Sequence, residues 1–438
     1  MNRKAILIVM LAFAATSCGR ALPTSPLRTR TTDTFGGGNA TSTATTLSNL
    51  VAVTLAPGVL AADVARTYGA TVVTSRPNER TATFLPPTGV TPAAFLNMLA
   101  NDTRVVTKEI DAWIENAEAR QQSFAFDDGF NTPLAYAQQT ASTLINLDAA
   151  HEVATGRNVK VAIIDTGVDL THSALRTRII GGYDFVDDDT NPTDVGDGID
   201  NDGDGRIDEA FGHGTHVAGI VHLVAPDAQL LVVRVLDADG RGDLAKVAAG
   251  VRWAVQHGAK VINLSLGANA RLDALQDVLA EAELAGVTVL ATAGNWGTSK
   301  LIDYPGTSTH TMCVAAVDGN GAGAAFSSYG SAVELSAPGV AIRSTYPGEQ
   351  YRQWSGTSMA APFVTGTCAL LAEKHPTWSL IDMETRLQAT AKALTGVPVG
   401  ASAKQFGAGV LDAGAALSPD RSMGDNGGDP TRLANTHH

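Results

Sequence analysis

The sequence lacks several features that define large classes of protein. It has three cysteines in 438 residues, too few for a fold held by disulfides, and we expect Cys313 and Cys368 to be hydrophobic thiols, although the sequence leaves their pairing open. Acidic residues outnumber basic ones, 44 to 31, without any lysine–arginine cluster, which argues against nucleic acid and anionic membranes as partners. Beyond residue 15 no apolar run is long enough to cross a bilayer.

The N-terminus has the pattern of an export signal. Arg3 and Lys4 precede a short apolar stretch, residues 5–15, and small residues then lead to Cys18. We therefore interpret residues 1–18 as a signal peptide and expect a secreted protein. Cys18 also resembles a bacterial lipoprotein site, although Ala15 stands where that pattern prefers leucine. The alternatives are ordinary secretion and a lipid anchor at Cys18 that holds the protein at the cell surface.

The chain then divides into segments of different composition. Residues 19–46, rich in Thr, Ser, Gly and Pro, read as a linker, and residues 419–438 as a disordered tail. Residues 47–118 predict a small α+β unit with the order β-α-β-β-α-β, which is the ferredoxin-like arrangement. Residues 119–140 are irregular and suit an accessible connector between two domains.

Residues 141–418 predict a doubly wound α/β domain with a mostly parallel sheet. Near-continuous apolar runs alternate with helical stretches, as expected for parallel strands that are buried on both faces. The runs comprise residues 159–164, 230–235, 261–266, 287–293 and 312–317. Functional sites in such sheets form beyond the carboxyl ends of the strands, where Asp165, Ser265-Leu266-Gly267 and Gly294-Asn295 occur.

Three short motifs carry residues suited to nucleophilic chemistry. Asp165 lies in Asp-Thr-Gly-Val-Asp, His213 in His-Gly-Thr-His-Val-Ala-Gly, and Ser358 in Gly-Thr-Ser-Met-Ala-Ala-Pro. Ser358 stands at or near the N-cap of an apolar helix, where free N–H groups suit an oxyanion. On its own, Ser358 could be an ordinary capping serine, and the His213–His216 spacing could belong to a zinc site.

In the order Asp, His, Ser, these motifs resemble the subtilisin-like serine proteases, or subtilases. The resemblance covers roughly residues 140–417 and implies a serine endopeptidase with protein or peptide substrates, in which Ser358 is the nucleophile, His213 the base and Asp165 its partner. Asn295 would then donate to the oxyanion; otherwise it is a turn residue. Residues 47–118 would be an inhibitory propeptide of a self-processing zymogen. The alternative is a catalytically silent subtilase-fold binding protein.

The same resemblance identifies segments for substrate binding. Gly240-Arg241-Gly242 and Ser265-Leu266-Gly267 would pair with a peptide as extra strands, unless both are simple turns. Asp303 precedes a Tyr-Pro pair and would lie at the base of the pocket for the side chain before the scissile bond. A carboxylate there favours Lys or Arg. The alternative is that Asp303 turns to solvent and caps the Tyr304-Pro305 turn.

An acidic loop predicts a calcium site. Asp200, Asp202, Asp204 and Asp208 occupy positions 1, 3, 5 and 9 of a pattern that matches the front of an EF-hand loop, but the bidentate Glu at position 12 is absent. Alternatively, the loop is a solvated acidic turn. The common calcium site of subtilases is absent from the sequence, since the helix of the histidine motif lacks the usual insertion and Ala174 replaces the expected Asp. We therefore expect Ca²⁺ to be bound by the acidic loop as a structural ion.

Overall fold

The computed structural model describes residues 47–118, 123–129, 131–269 and 271–418. The predicted signal peptide, the linker, Cys18 and the C-terminal tail lie outside these residues. Within the described residues, no helix combines the length and hydropathy needed to span a membrane. No disulfide joins Cys313 and Cys368, which are both buried.

The first part of the described chain is a small sheet with two helices. Its elements are β1 (Leu47–Leu55), α1 (Ala61–Tyr68), β2 (Thr71–Arg76), β3 (Thr81–Leu85), α2 (Pro92–Met98) and β4 (Val105–Glu115). The four strands pair antiparallel in the order β2-β3-β1-β4. Phe84, Phe95 and Leu99 are fully buried between the sheet and the helices, so this part of the chain has its own apolar core.

The main sheet has seven strands, and each pairs parallel with its neighbours. They are β5 (Lys160–Asp165), β6 (Ile179–Asp184), β7 (Gln229–Arg234), β9 (Val261–Leu264), β10 (Thr288–Thr292), β11 (Met312–Val317) and β12 (Val333–Pro338). The spatial order is β12-β11-β10-β9-β5-β7-β6. The apolar runs seen in the sequence form its central strands, which helices cover on both faces, so the predicted α/β architecture is confirmed.

Long helices build the two layers that cover this sheet. α6 (His213–Val224) and α9 (Thr357–Lys374) pack in one core cluster, and α7 (Leu244–Gln256) and α8 (Asp273–Leu284) in the other. The shorter elements are α3 (Pro133–Ala137), α4 (Thr140–Leu144), α5 (Leu147–His151), α10 (Leu380–Thr390), a 3₁₀ turn (Ala403–Phe406) and α11 (Ala413–Leu417), with a hairpin of β13 (Ile342–Tyr346) and β14 (Gln350–Trp354).

The two parts of the chain share a strand pairing. β4 extends beyond the small sheet and pairs antiparallel with β8 (Arg241–Asp243), giving the order β2-β3-β1-β4-β8. The N-terminus of α8 reinforces the contact between the two parts, because the Glu109 carboxylate of β4 accepts from the N–H groups of Asp273 and Ala274 in the first turn of α8. The end of β4 is thereby directed to the carboxyl end of the main sheet.

Candidate active site

Asp165 and His213 form a buried pair at the carboxyl end of the main sheet. Asp165 is the last residue of β5, and His213 is the first residue of α6. His213 Nδ1 lies 2.7 Å from Asp165 Oδ1, which also accepts from the backbone N–H of Thr166 at 2.8 Å. A contact of this geometry keeps a proton on His213 Nδ1, fixes the orientation of the ring and directs Nε2 away from Asp165.

Ser358 and Asn295 border the same centre. α9 begins at Thr357 with Gly356 as its N-cap, so Ser358 lies in the first turn, where backbone N–H groups are free of intrahelical partners. Asn295 follows β10 and accepts from the backbone and side chain of Thr357 at 2.9 and 2.8 Å. These bonds use the amide oxygen of Asn295 and leave its Nδ2 to donate into the centre.

A carboxylate of the chain itself occupies this centre. Glu118 Oε1 accepts from Asn295 Nδ2 at 2.8 Å and from the Ser358 N–H at 3.3 Å. Its other oxygen, Oε2, accepts from Ser358 Oγ at 2.5 Å and lies 3.3 Å from His213 Nε2. Glu118 is fully buried. The Glu118 carboxylate therefore contacts three of the predicted catalytic residues, Asn295, Ser358 and His213.

The charges in this centre shift two pKa values in opposite directions. Burial lowers the pKa of the His213 imidazole, but the charges and hydrogen bonds of Asp165 and Glu118 outweigh burial and raise it to about 10. For Glu118, burial raises the pKa, and the bonds from His213, Ser358 and Asn295 reverse that effect and hold it below its ordinary value. At neutral pH the pair is thus imidazolium and carboxylate.

A third buried carboxylate at this centre, Asp194, supports the histidine and was not predicted from the sequence. Asp194 accepts from Thr215 Oγ1 at 2.8 Å and from the Gly212 N–H at 3.2 Å, so it caps the helix that begins with His213. Burial, with a smaller contribution from the charge of Asp165, raises the pKa of Asp194 to about 7. A signal for it was present, because an Asp stands upstream of a helix whose N-cap, Gly212, has no side chain to cap it.

The two segments assigned to substrate binding hold the end of β4. Glu115 exchanges two backbone hydrogen bonds with Gly267, at 3.0 and 2.8 Å, and the Asn116 N–H donates to the Gly240 carbonyl at 3.0 Å. The Arg241 guanidinium stacks 4.0 Å from the Trp113 ring centroid. An extended peptide is thus clamped between the predicted segments, and in this chain that peptide is its own residues 113–116. Leu266 is fully buried, and Ser265 Oγ donates to the Ser358 carbonyl.

Asp303 is buried behind two glycines. A Cβ added to Gly294 would lie 2.5 Å from Asp303 Oδ2, and one added to Gly267 would lie 2.7 Å from Asp303 Cβ. Asp303 Oδ1 accepts from Trp296 Nε1 at 2.8 Å. The exposed fraction of Asp303 is 1%. This burial contradicts the alternative in which the Asp303 side chain turns to solvent. Its carboxylate borders the glycines that precede Asn295 and end the Ser265–Gly267 segment.

The acidic loop brings together three of its four predicted ligands. One carboxylate oxygen each from Asp200, Asp202 and Asp204 lies within 4.8 Å of the others. Asp208 lies outside this group, and its carboxylate accepts from the N–H groups of Asp197 and Gly198. Glu209 was missed.

Both carboxylate oxygens of Glu209 are buried without a hydrogen-bond partner, and burial and the charges of Asp239, Asp202 and Asp204 raise its pKa to about 7. A carboxylate that is desolvated beside other acids, without donors of its own, fits the donor set of a hard cation such as Ca²⁺. The loop itself is attached to the rest of the fold by Asp239, whose carboxylate accepts from the N–H groups of Asn201 and Asp208.

The two histidines of the His-x-x-His spacing have separate partners. His213 pairs with Asp165 and Glu118, whereas His216 Nε2 lies 3.1 Å from the carbonyl oxygens of Ile342 and Arg352. Burial is the main cause that lowers the pKa of His216, to about 3. Among the described residues, neither histidine belongs to a group of potential metal ligands. The zinc alternative therefore has no geometric support.

Comparisons with known proteins agree with this geometry. The profile of the Subtilase family, Peptidase_S8, matches residues 156–409. Subtilisin BL of Lederbergia lenta is 40% identical over 282 residues, which cover 62% of this chain and 96% of that protein. Subtilisin E of Bacillus subtilis (strain 168) is 40% identical over 252 residues, or 55% of this chain; the match spans only 62% of that relative's length.

A solved structure is also similar over most of the chain. It is that of fervidolysin from Fervidobacterium pennivorans, described as a keratinolytic enzyme related to subtilisin. It aligns with a TM-score of 0.68 and 27% identity over 85% of this chain and 61% of that chain. The family profile covers more than half of the chain and includes Asp165, His213, Asn295 and Ser358. The chain belongs to the subtilase family.

Proposed function

We propose that this protein is an exported serine endopeptidase that hydrolyses peptide bonds through Asp165, His213 and Ser358. The observation that carries the proposal is the environment of the Glu118 carboxylate. An oxygen at the position of Oε1 receives the Asn295 amide and the Ser358 N–H together. Two converging donors beside a serine hydroxyl are what the oxyanion of acyl transfer requires.

The mechanism follows from these positions when a peptide carbonyl replaces the Glu118 carboxylate. Ser358 Oγ attacks the carbonyl carbon while His213 Nε2 accepts the hydroxyl proton, and the charge that develops on the carbonyl oxygen is held by Asn295 and the Ser358 N–H. Asp165 stabilises the imidazolium, which then protonates the leaving amine. In subtilisin itself, the loss of one oxyanion donor costs roughly 3–4 kcal/mol of transition-state stabilisation.

The substrate class is a protein or peptide in extended form. The supporting observation is the backbone pairing of residues 113–116 with Gly240–Asp243 and Gly267, which is independent of side-chain identity. Specificity would then come from the pockets, with Asp303 at the base of the one that receives the side chain before the scissile bond. A buried carboxylate there favours Lys or Arg, while the small and apolar walls admit other residues.

Residues 47–118 act in this proposal as a ferredoxin-like propeptide and intramolecular inhibitor. Two contacts support this role: β4 fills the substrate-binding segments, and Glu118 fills the catalytic centre. The connector, residues 119–140, would contain the processing region. The N-terminal signal would direct export of the chain, which would then be secreted or held at the cell surface by a lipid anchor at Cys18.

Asp200, Asp202 and Asp204, with Glu209, would hold a structural Ca²⁺. The carboxylate oxygens have the chemistry that calcium prefers, and the desolvated acid of Glu209 would be neutralised by the ion. The ion would supply positive charge to this loop, which joins Asp194 to the start of α6 and docks on Asp239. No catalytic step involves it.

The decisive experiment compares the full-length chain with its Ser358→Ala variant. Purified separately and without added protease, the wild-type chain should convert to a shorter form by cleavage between about residues 115 and 139, and should then hydrolyse casein and label with a fluorophosphonate. Ser358→Ala should remain full length and inactive, with an unchanged circular dichroism spectrum. Peptidase activity near the wild-type level in Ser358→Ala would exclude Ser358 as the nucleophile.

A further inference from the structure

Glu118 is joined to the catalytic centre by its side chain rather than by its backbone. The backbone of β4 is extended and paired through Glu115 and Asn116, and it then enters a helical turn at Ala117 and Glu118. The described oxyanion donors bond the Glu118 carboxylate and not a main-chain carbonyl. Residues 113–116 therefore lie as a substrate would lie, while the catalytic centre itself contacts an acid.

The position of this carboxylate depends on a glycine. A Cβ added to Gly356 would lie 1.7 Å from Glu118 Oε1 and 2.6 Å from its carboxyl carbon. Since Gly356 is the N-cap of α9, its bare backbone lets the acid approach the N–H of Ser358 at the helix terminus. Any anion in this position gains from the helix dipole and from the imidazolium of His213 together.

Three consequences of the Glu118 contacts each prevent catalysis. The oxyanion donors are occupied, so no substrate carbonyl can use them. The Ser358 hydroxyl donates to Glu118 Oε2, and its proton is thus directed away from His213. The charge of Glu118 also helps to hold a proton on His213, and a protonated imidazole cannot act as a base.

We propose that Glu118 is an internal latch, whose carboxylate keeps the catalytic centre of the uncleaved chain inactive until it leaves that centre. The inference rests on the proposed function, because a latch has meaning only if Ser358 and His213 are catalytic. The inference extends the proposed inhibition by residues 47–118, because it assigns the inactivity of the uncleaved chain to the side chain of Glu118. Strand pairing by β4 positions the residue, but the charge on Glu118 disables the nucleophile and the base.

The test uses the full-length chain carrying Glu118→Ala or Glu118→Gln, with Asp127→Asn as the matched control. Asp127 is another acid of the same connector region, but it is exposed, and its carboxylate accepts only locally, from the Gly129 N–H, in the contacts described. After refolding by dilution, samples are followed by gel electrophoresis and intact mass, and a fluorophosphonate is added to report the reactivity of Ser358 before cleavage.

Removal of the Glu118 carboxylate should increase the rate at which the full-length chain cleaves itself. We expect Glu118→Ala to be cleaved roughly tenfold to a hundredfold faster than wild type, the range that corresponds to losing hydrogen bonds to a charged group. Glu118→Gln should fall between the two, and Asp127→Asn should match wild type. The uncleaved fraction of Glu118→Ala should also react faster with the fluorophosphonate, which gives a readout even if the variant refolds in lower yield.

The outcomes separate the latch from the underlying activity. If Glu118→Ala is cleaved and labelled at the wild-type rate or more slowly, while mature protein from either chain digests casein, the latch is wrong and the peptidase assignment stands. If wild type and every variant stay full length and none reacts with the fluorophosphonate, the proposed function fails, and the latch fails with it.

Discussion

The ion pair between His213 and Glu118 makes the stability of the uncleaved chain depend on pH in a definite direction. The pKa of His213 is raised to about 10 in the folded chain, above the ordinary value of 6.5. Its contribution to stability is therefore complete below pH 6.5 and is lost as the pH rises through about 10. Glu118, whose pKa is lowered, contributes above its ordinary value of 4.5 and less at lower pH.

The magnitude follows from the same shift. The rise of the His213 pKa from 6.5 to about 10 corresponds to an upper limit of roughly 5 kcal/mol, because each pKa unit is worth about 1.4 kcal/mol. Asp165 is the leading cause that raises this pKa, and Glu118 supplies the smaller part. Replacing Glu118 by Gln should therefore remove about 1–2 kcal/mol of stabilisation that depends on pH.

The assay is urea unfolding of Ser358→Ala and Ser358→Ala/Glu118→Gln, which both remain uncleaved, at pH 6.5 and pH 9.5. The Glu118→Gln substitution should lower the free energy of unfolding more at pH 6.5 than at pH 9.5. Asp194, with a pKa of about 7, titrates in the same window, but it is present in both proteins and cancels in the difference. An equal loss at both pH values would refute the ion pair.

Two further predictions concern specificity and calcium. Asp303→Asn should reduce the rate of cleavage after Lys and Arg relative to Leu and Phe by roughly tenfold or more, because a desolvated charge-assisted hydrogen bond is lost; a peptide library with unchanged preferences would exclude Asp303 from the pocket. Calcium should raise the thermal midpoint relative to chelator, by mass action on the folded state. That difference in midpoint should shrink in the double variant Asp202→Asn/Asp204→Asn. It should persist in Asp208→Asn, because the carboxylate of Asp208 bonds outside the group of Asp200, Asp202 and Asp204. A wild-type midpoint unaffected by chelator would argue against a tight site.

The sequence predicted the central strands of the main sheet because those strands are apolar throughout. Residues 312–317, for example, are all buried in β11, as the continuous apolar run indicates. β6 and β12 were missed for physical reasons. β6 contains Gly181 and Gly182 and is partly exposed at the sheet edge, and β12 contains Glu334 and Ser336, which are buried polar residues. Hydrophobic periodicity cannot identify a strand whose interior is polar.

The candidate site was predictable to the extent that its residues fall in local motifs. Asp165, His213 and Ser358 each lie at or near the end of an element that the local sequence pattern predicts, and their roles come from the family resemblance. Glu118 was not predictable, because its partners Asn295 and Ser358 are 177 and 240 positions away in the chain, His213 is also distant in sequence, and a surface glutamate would have the same local sequence. The separation of Asp208 from Asp200, Asp202 and Asp204 depends similarly on loop geometry, since its carboxylate bonds instead to the N–H groups of Asp197 and Gly198.

In the proposed latch, charge rather than shape distinguishes the inactive centre from an active one. A peptide carbonyl and the Glu118 carboxylate can use the same two donors, Asn295 Nδ2 and the Ser358 N–H. The carbonyl is neutral and leaves His213 with Asp165 alone, whereas the carboxylate adds a second negative charge and retains a proton on His213. In the proposed mechanism these donors serve an anion that exists only in the transition state, whereas Glu118 presents a permanent anion to them that does not react.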